Sequence, residues 1–386
     1  MMNLAVMFGG KSCEHDVSVV TGLQAVENAD QSKYHVIPVY ITRDGVWYTG
    51  EKLKDVKFIQ AFDPAKAERI YIEPVPGGML RYIDGGGLFS KKSAVKIDAA
   101  ILAFHGMNGE DGTVQGLLEL AGIPYSSSGV LGSAVGMDKI AMRLCFKGMG
   151  LPVLPFQFYD RRYWSDNRES AADEIEKVLR YPLFVKPSNL GSSIGISRAE
   201  NRQALMQAMD VAFHYDRRVI VENGVSDIME VNCSVLGWGS SVEASVCEQP
   251  VTWETFLTFD EKYLRGKGTK GMKSLSRIVP APIPEDLTHR IQEMSKQVFM
   301  ALDCKGTVRI DYIIDKGENL LYINEINTIP GSLAFYLWEE SGVKFPALID
   351  RLVALAKQAM NDRLGNDYAY NSDILSKFKS GGSIKK

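Results

Sequence analysis

The segment Lys186-Pro187-Ser188-Asn189-Leu190-Gly191-Ser192-Ser193-Ile194-Gly195 follows the apolar run Leu183-Phe184-Val185. A lysine that ends a strand and opens onto a loop of glycines and hydroxyls has the parts to fold over a polyphosphate. Glycines admit close backbone approach, hydroxyls donate hydrogen bonds, and the lysine adds a compact charge. Glycines alone would equally make a plain surface loop. The distinguishing signal lies downstream, in Arg309-Ile310-Asp311 on the strand-like run Thr307 to Ile314, and in Glu325-Ile326-Asn327 after the run Leu320 to Ile323. The two runs flank a turn-like Asp315-Lys316-Gly317-Glu318-Asn319. A period of two puts Arg309 and Asp311 on one face, and Glu325 and Asn327 on one face. Hard oxygen ligands from two neighbouring strands suit Mg²⁺, which takes few protein ligands and completes its shell with phosphate and water. Ile310, Ile313, Leu321 and Ile323 mark these runs as core elements rather than solvated ribbons. An arginine beside a metal suits the charge that develops during acyl or phosphoryl transfer.

Two other readings of the glycine motifs fail. Gly191-Ser192-Ser193-Ile194-Gly195 matches GxSxG, and His214 or His289 could follow as a base, which raises a serine hydrolase. A nucleophile elbow turns from strand directly into helix, whereas Pro187 to Leu190 intervene here and the next helical signal begins near Asn201. Gly9-Gly10-Lys11-Ser12 resembles the end of a P-loop, but Ala5 stands where GxxxxGK[ST] needs its first glycine. It reads better as a substrate loop whose amides face an anion at a helix start.

Outward from these motifs, Leu4 to Phe8, His35 to Ile41 and Asp98 to Phe104 are short apolar runs, with amphipathic helical stretches near Val17 to Ala29 and Val114 to Ala121. That alternation predicts an open α/β sheet and a mixed α/β chain overall. The stretch from about 58 to 96, rich in glycine and lysine, reads as hairpins or a surface insertion. A second unit starts near Asp138 and a third near Glu230, where the sequence alternates like a half-buried strand, and a closing helix is expected near Pro346 to Met360. The resulting boundaries are 1–137, 138–225 and 226–386, with a mobile polar tail after about residue 376.

The whole chain of 386 residues is 45% hydrophobic and 24% charged, as expected of a folded protein of two or three domains. With 44 basic against 47 acidic side chains, bulk positive charge for nucleic acid is excluded. No apolar run reaches the ~18 residues of a membrane span, and Met1 leads straight into a strand rather than a signal peptide. Five scattered cysteines without a CxxC pair argue against a disulfide framework or zinc site and fit a reducing cytoplasm.

Taken together, Phe8-Gly9-Gly10-Lys11-Ser12-Cys13-Glu14-His15-Asp16-Val17-Ser18, His105-Gly106-Met107-Asn108-Gly109-Glu110-Asp111-Gly112, the Lys186 loop, Glu261-Lys262-Tyr263 and Asn324-Glu325-Ile326-Asn327-Thr328-Ile329-Pro330-Gly331 resemble the D-alanine–D-alanine ligase family of ATP-grasp enzymes. The motifs keep family order across about residues 4 to 331 and are specific as a set. The resemblance implies an ATP-grasp fold, with an N-terminal α/β domain, a central lid and a C-terminal domain, and ATP clasped between the last two. It implies an ATP-dependent ligase that joins D-alanine to a second D-amino acid, most simply D-alanine, through an acyl phosphate, for peptidoglycan precursors. A dipeptide ligase with another acceptor is the runner-up, and the serine hydrolase and a nucleotide-binding regulator that lost turnover are the alternatives from other classes.

By the same resemblance Lys139 and Lys186 hold ATP phosphates, with Ser193 and Lys262 as further nucleotide-side candidates. Glu222 and Glu230 lie near adenine and ribose, with Asp227 as a neighbouring carboxylate, and Asp311, Glu325 and Asn327 carry Mg²⁺ or, as a substitute, Mn²⁺. Glu14 meets the ammonium of the first amino acid, with Ser192 and Tyr263 hydrogen-bonded to it as a latch. Arg309 and the backbone N–H of Gly331 are oxyanion donors, and His15 and His105 orient substrate or shuttle a proton. The expected partners are these small molecules and a second copy of the chain in a homodimer. Where the family usually places a serine for the acceptor carboxylate, this chain reads Ser332-Leu333-Ala334-Phe335-Tyr336-Leu337-Trp338-Glu339-Glu340, so Tyr336 takes the aligned position and Ser332 is the alternative hydroxyl. Retention of Lys262-Tyr263 points to an amine acceptor. The basic run Leu264 to Arg277 would close over phosphates or simply be a solvated loop.

Overall fold

The computed structural model describes residues 1–83, 94–251 and 277–367. Lys262, Tyr263, the basic run up to residue 276 and the tail after about residue 376 lie outside the described residues. The described residues form three sheets, of seven, four and five strands.

The first sheet is built on Met2–Gly9, paired in parallel with Tyr34–Ile41 on one side and Ala99–Leu102 on the other. Met2–Gly9 reads MNLAVMFG and is buried from Leu4 onward, as a strand covered on both faces must be. Helices His15–Asn28 and Thr113–Ala121 cover this sheet, close to where the apolar periodicity places them. The stretch read as hairpins extends it, with Glu68–Ile72, Met79–Tyr82 and Ala94–Lys96 joining in antiparallel order.

The second sheet has Leu183–Pro187 between Ser197–Ala199 and Arg218–Asn223, all antiparallel, with Phe156–Asp160 at the edge. Helices Arg168–Val178 and Arg202–Tyr215 close its core over Ala172, Leu205 and Met209. Asn201 caps the second helix by accepting from the Ala204 amide, so helix follows the glycine loop only after a further strand. That spacing removes the nucleophile elbow.

In the third sheet the long strands Ile228–Trp238, Lys305–Asp315 and Leu320–Asn327 run antiparallel, with Ser241–Pro250 beside the first. Helix Lys139–Gly148 packs Met142 and Phe146 into this core, although its N-terminal end reaches the loop of the second sheet. Helix Phe345–Leu364 packs instead against the first sheet, through Leu348, Leu352 and Val353. These two crossings tie the cores into one body around the region where the three sheets meet. Among the described residues no helix is long and apolar enough to cross a membrane.

Candidate functional site

The antiparallel register of Lys305–Asp315 and Leu320–Asn327 sets Asp311 opposite Glu325 and Arg309 opposite Asn327. Four side chains from two dipeptide spacings therefore converge on one face, as the alternation predicts. Arg309 donates from Nε to Asp311 Oδ1 and from Nη2 to Oδ2, both at 2.7 Å, and Asn327 Nδ2 donates to Asp311 Oδ2 at 3.0 Å. Burial and the charge of Glu325 push the Asp311 carboxyl upward, opposed by Arg309. Two crowded carboxylates and an amide make a hard-oxygen donor set of the kind a divalent ion takes. Lys139 brings its ammonium to 3.9 Å from Glu325 Oε2 and donates to the Leu190 carbonyl at 2.6 Å, linking this face to the glycine loop.

On the second sheet, Lys186 donates to Glu222 Oε2 at 2.5 Å. Glu222 is buried, and burial alone would raise its pKa. Arg143 and then Lys186 more than offset that and hold the carboxyl at about 2. Arg143 was not legible as a site residue. It sits on an ordinary amphipathic helix, yet it is 2% exposed and spends its guanidinium on Glu222 Oε1 (2.7 Å), the Ile323 carbonyl (2.5 Å) and Asn324 Oδ1 (2.8 Å). It thus staples the second sheet to the third beside Glu325. Glu230 lies on the exposed part of its strand, opposite Ile313, and Asp227 pairs with Lys316 on the surface at 2.5 Å.

The glycine loop is anchored at its base by Asp216, which accepts from the Asn189 amide and side chain at 2.8 and 2.9 Å. At its tip Ser192 and Ser193 adopt left-handed backbone, φ 52° and 60°, a conformation that serine holds only against strain. Ser192 Oγ donates to Glu14 Oε1. Glu14 is only 8% exposed because Gly106 and Gly191 close on it: a Cβ at either would come within 2.8 and 2.6 Å of Oε2. Three separate segments, the 9–14 loop, the 105–112 loop and the 188–195 loop, therefore meet at one carboxylate.

Behind Glu14 lies a buried polar relay. His105 Nε2 shares a hydrogen bond with Thr21 Oγ1 at 2.9 Å, and Thr21 accepts from the Ser332 amide at 3.1 Å. Burial and the Arg309 charge lower the His105 pKa to about 3, so its ring is neutral. Glu110 Oε2 is 4.0 Å from His105 Nδ1, and its two oxygens accept from the Gly106 and Ile329 amides. Burial, then the Glu14 charge, raise Glu110 to about 8, which keeps its carboxyl largely protonated at neutral pH. Thr21 and Glu110 were missed as site residues. Glu110 lay inside a quoted motif, but only its burial reveals the shift.

His15 is set apart from this cluster. Its Nδ1 meets the Gly10 carbonyl at 2.8 Å and its Nε2 the Tyr40 hydroxyl at 3.1 Å, so both ring nitrogens are used in holding the 9–14 loop. Gly331 begins a short turn in which Ser332, Leu333 and Ala334 all have positive φ, 53°, 54° and 51°. Three consecutive left-handed non-glycine residues are strained backbone retained by the surrounding fold. The Ser332 hydroxyl is buried and has no hydrogen-bond partner among the described residues, at a cost of roughly 1–3 kcal/mol. Tyr336 is turned elsewhere. Its hydroxyl donates to Glu248 Oε1 at 2.8 Å, and the Arg277 guanidinium lies 3.7 Å from its ring centre.

Comparison with known proteins follows the same outline. Family profiles described as D-ala D-ala ligase N-terminus and C-terminus match residues 3–128 and 145–354. The D-alanine–D-alanine ligase of Thermosipho africanus is 35% identical over 375 residues, covering 97% of this chain and 98% of the relative. That of Thermosipho melanesiensis is 39% identical over 367 residues, covering 94% and 96%. Among solved structures, the VanG D-Ala:D-Ser ligase from Enterococcus faecalis matches with a TM-score of 0.77 at 32% identity, over 92% of this chain and 99% of that one. The D-alanine–D-alanine ligase from Coxiella burnetii matches with a TM-score of 0.76 at 27% identity, over 94% and 96%.

Proposed function

The chain belongs to the D-alanine–D-alanine ligase family and has its ATP-grasp fold, and from that premise we propose that it joins D-alanine to a second D-alanine at the expense of ATP, supplying peptidoglycan precursors. The observation that carries this reading is that Lys139 bridges the glycine loop, whose Ser192 is bonded to Glu14, to Glu325, which stands opposite Asp311 and its partner Arg309. A carboxylate is a poor electrophile at neutral pH, so amide formation needs it converted first to an acyl phosphate.

In the proposed order, Glu14 binds the ammonium of the first D-alanine and aims its carboxylate at the terminal phosphate of ATP. Lys139 and Lys186 offset the phosphate charge as the carboxylate oxygen takes the phosphoryl group and ADP leaves. The set of Asp311, Glu325 and Asn327 fits a divalent ion by the hardness and number of its oxygens. Magnesium, or manganese in its place, would supply screening of the phosphates and Lewis-acid polarisation. The amine of the second D-alanine then attacks the acyl carbon. Arg309 and the Gly331 N–H face the oxyanion, the C–N bond forms, the C–O bond to phosphate breaks, and the amine proton leaves with the product phosphate or solvent. Ser192 keeps water from the acyl phosphate by closing its loop on Glu14. Assembly as a cytoplasmic homodimer is part of this proposal.

The test is direct. Purified protein with ATP, magnesium and D-alanine should release ADP and form the dipeptide in equal amounts, followed by coupled ADP assay and mass spectrometry. ADP release without dipeptide would reject the reading. Glu14→Gln removes the charge that meets the ammonium, and a lost charge-assisted hydrogen bond is worth about 1.5–3 kcal/mol. The KM of the first D-alanine should therefore rise about 10- to 100-fold while the KM of ATP stays within about twofold. Equal losses for both substrates would take Glu14 out of this role.

A further inference from the structure

The five cysteines are free thiols with no shared sequence motif, yet strand register brings two of them together. In the antiparallel pair formed by Ile228–Trp238 and Ser241–Pro250, Cys233 stands directly opposite Cys247, and both side chains enter the core of the third sheet. The Cys247 carbonyl turns away from Cys233 to accept from the Ala281 amide at 2.8 Å. The two cysteines are therefore a non-hydrogen-bonded pair, the kind in which opposite side chains approach more closely. Opposite residues on one face hold their Cβ atoms about 4.5–5.5 Å apart, and a disulfide closes at about 3.5–4.5 Å. A shift of up to about 1 Å between the strands suffices to join the sulfurs. The register slips between Cys233 and Val235, and a bulge is where a strand bends.

The two thiols are 0% and 2% exposed, so an oxidant reaches them only through a local opening. Strand Ser241–Pro250 offers one. Among the described residues its outer neighbour, Arg277–Ile278, pairs only with Gln249 and Pro250. Further along, the strand is tied by single hydrogen bonds, from the Val246 amide to Ser341 Oγ at 3.0 Å and from Gln292 Nε2 to the Ser245 carbonyl at 2.9 Å. A strand with so few outer bonds opens at less cost than the whole fold. The Cys247 thiol beside it lowers the pKa of Cys233, which makes Cys233 the attacking sulfur.

Each cysteine also adjoins a residue close to the proposed chemistry. Asn232, before Cys233, stands opposite Asp311 and donates to Glu248 Oε1 at 3.1 Å. Glu248, after Cys247, accepts from the Tyr336 hydroxyl at 2.8 Å and from Arg277 at 3.0 Å. Drawing the two strands together moves this cluster against Asp311, and a misplacement of about 1 Å can cost about 100-fold in rate.

We propose that Cys233 and Cys247 are a modification site at which a hydroperoxide forms a reversible disulfide, and that this bond slows turnover, an effect that rests on the ligase reading above. With hydrogen peroxide, the Cys233 sulfur attacks one oxygen: the S–O bond forms, the O–O bond breaks, and water leaves behind a sulfenic acid. The Cys247 sulfur then attacks that sulfur. The S–S bond forms, the S–O bond breaks, and the departing hydroxyl takes the second thiol proton as water. Two thiols lose two electrons, and one peroxide is reduced to two waters.

The test treats the purified protein with hydrogen peroxide, alkylates it under denaturing conditions and maps the peptides by mass. The expected product is a linked Cys233–Cys247 peptide pair, lighter by two hydrogens than the separate thiol peptides and released by dithiothreitol. Dipeptide formation should fall about 10- to 100-fold as the link forms and return with dithiothreitol. Cys247→Ala should keep its turnover through the same treatment, and Cys233→Ala takes its place should that protein fail to fold. Cys13→Ser removes the exposed thiol and should leave the peroxide effect in place. Absence of the linked peptides, full linkage with unchanged turnover, or a loss that vanishes in Cys13→Ser overturns the proposal. An untreated protein that forms no dipeptide would instead reject the ligase reading, and the linkage would still be read by mass.

Discussion

Arg309→Ala is expected to slow dipeptide formation by about 10²- to 10³-fold, the usual effect of losing one oxyanion donor. Arg309 holds the Asp311 carboxylate through two parallel 2.7 Å hydrogen bonds, so its guanidinium is fixed before any substrate arrives. A donor that is already oriented does not reorganise as charge develops, which is why its removal falls on kcat rather than on binding. ATP affinity, measured by calorimetry, should change little, because the phosphates are assigned to Lys139 and Lys186. Lysine cannot reproduce the two-pronged fork, so Arg309→Lys should recover only part of the loss. The alanine variant also leaves Asp311 without its cation, and a melting curve separates that effect from the kinetic one. A folded Arg309→Ala protein with unchanged turnover would remove the arginine from the chemistry.

The strands that carry Arg309, Asp311, Glu325 and Asn327 were legible because alternation decides which residues share a face. Pairing then needed only a short turn, and the register followed. The N-terminal strands and helices were legible for the same reason: continuous apolar runs and 3.6-residue stripes report burial directly. Arg143, Thr21 and Glu110 were hidden by the converse. A charged or polar residue on a helix or loop reads as solvated, and only the fold reveals it as enclosed with partners 79 to 311 residues away in sequence. His15 shows the limit of motif resemblance, since its neighbour Glu14 meets Ser192 of the glycine loop while its own ring faces Gly10 and Tyr40. The hairpins that widen the first sheet were only loosely legible, because strands of three to five residues that are half-exposed carry little periodicity.

Arg143→Met should destabilise the fold by about 3–5 kcal/mol, the range for breaking a buried ion pair by removing one partner. Methionine approximates the aliphatic part of arginine, so the loss is electrostatic: Glu222 stays enclosed, and the Ile323 carbonyl and Asn324 side chain lose their donors. Lys186 remains as a cation for Glu222, which places the expected value toward the lower end. The pH dependence carries the sign. In the folded chain Glu222 titrates at about 2, below the ~4.3 of an unfolded glutamate, so the unfolded state binds the proton more readily. The stability it contributes, on the order of 3 kcal/mol, is present above the unfolded value and disappears as pH falls toward 2. In Arg143→Met the folded carboxyl rises, and the fall in stability between about pH 5 and 2 should flatten. Urea unfolding at a series of pH values measures both quantities. Lys186 already donates to Glu222 at 2.5 Å. With Arg143 gone it is the remaining cation on that carboxylate and is held there more tightly, so under the proposed phosphate role of Lys186 the KM of ATP should rise alongside the lost stability, and Arg143→Lys should restore part of each. An Arg143→Met protein with the original stability and the original acid slope would show that the buried trio does not couple the two sheets.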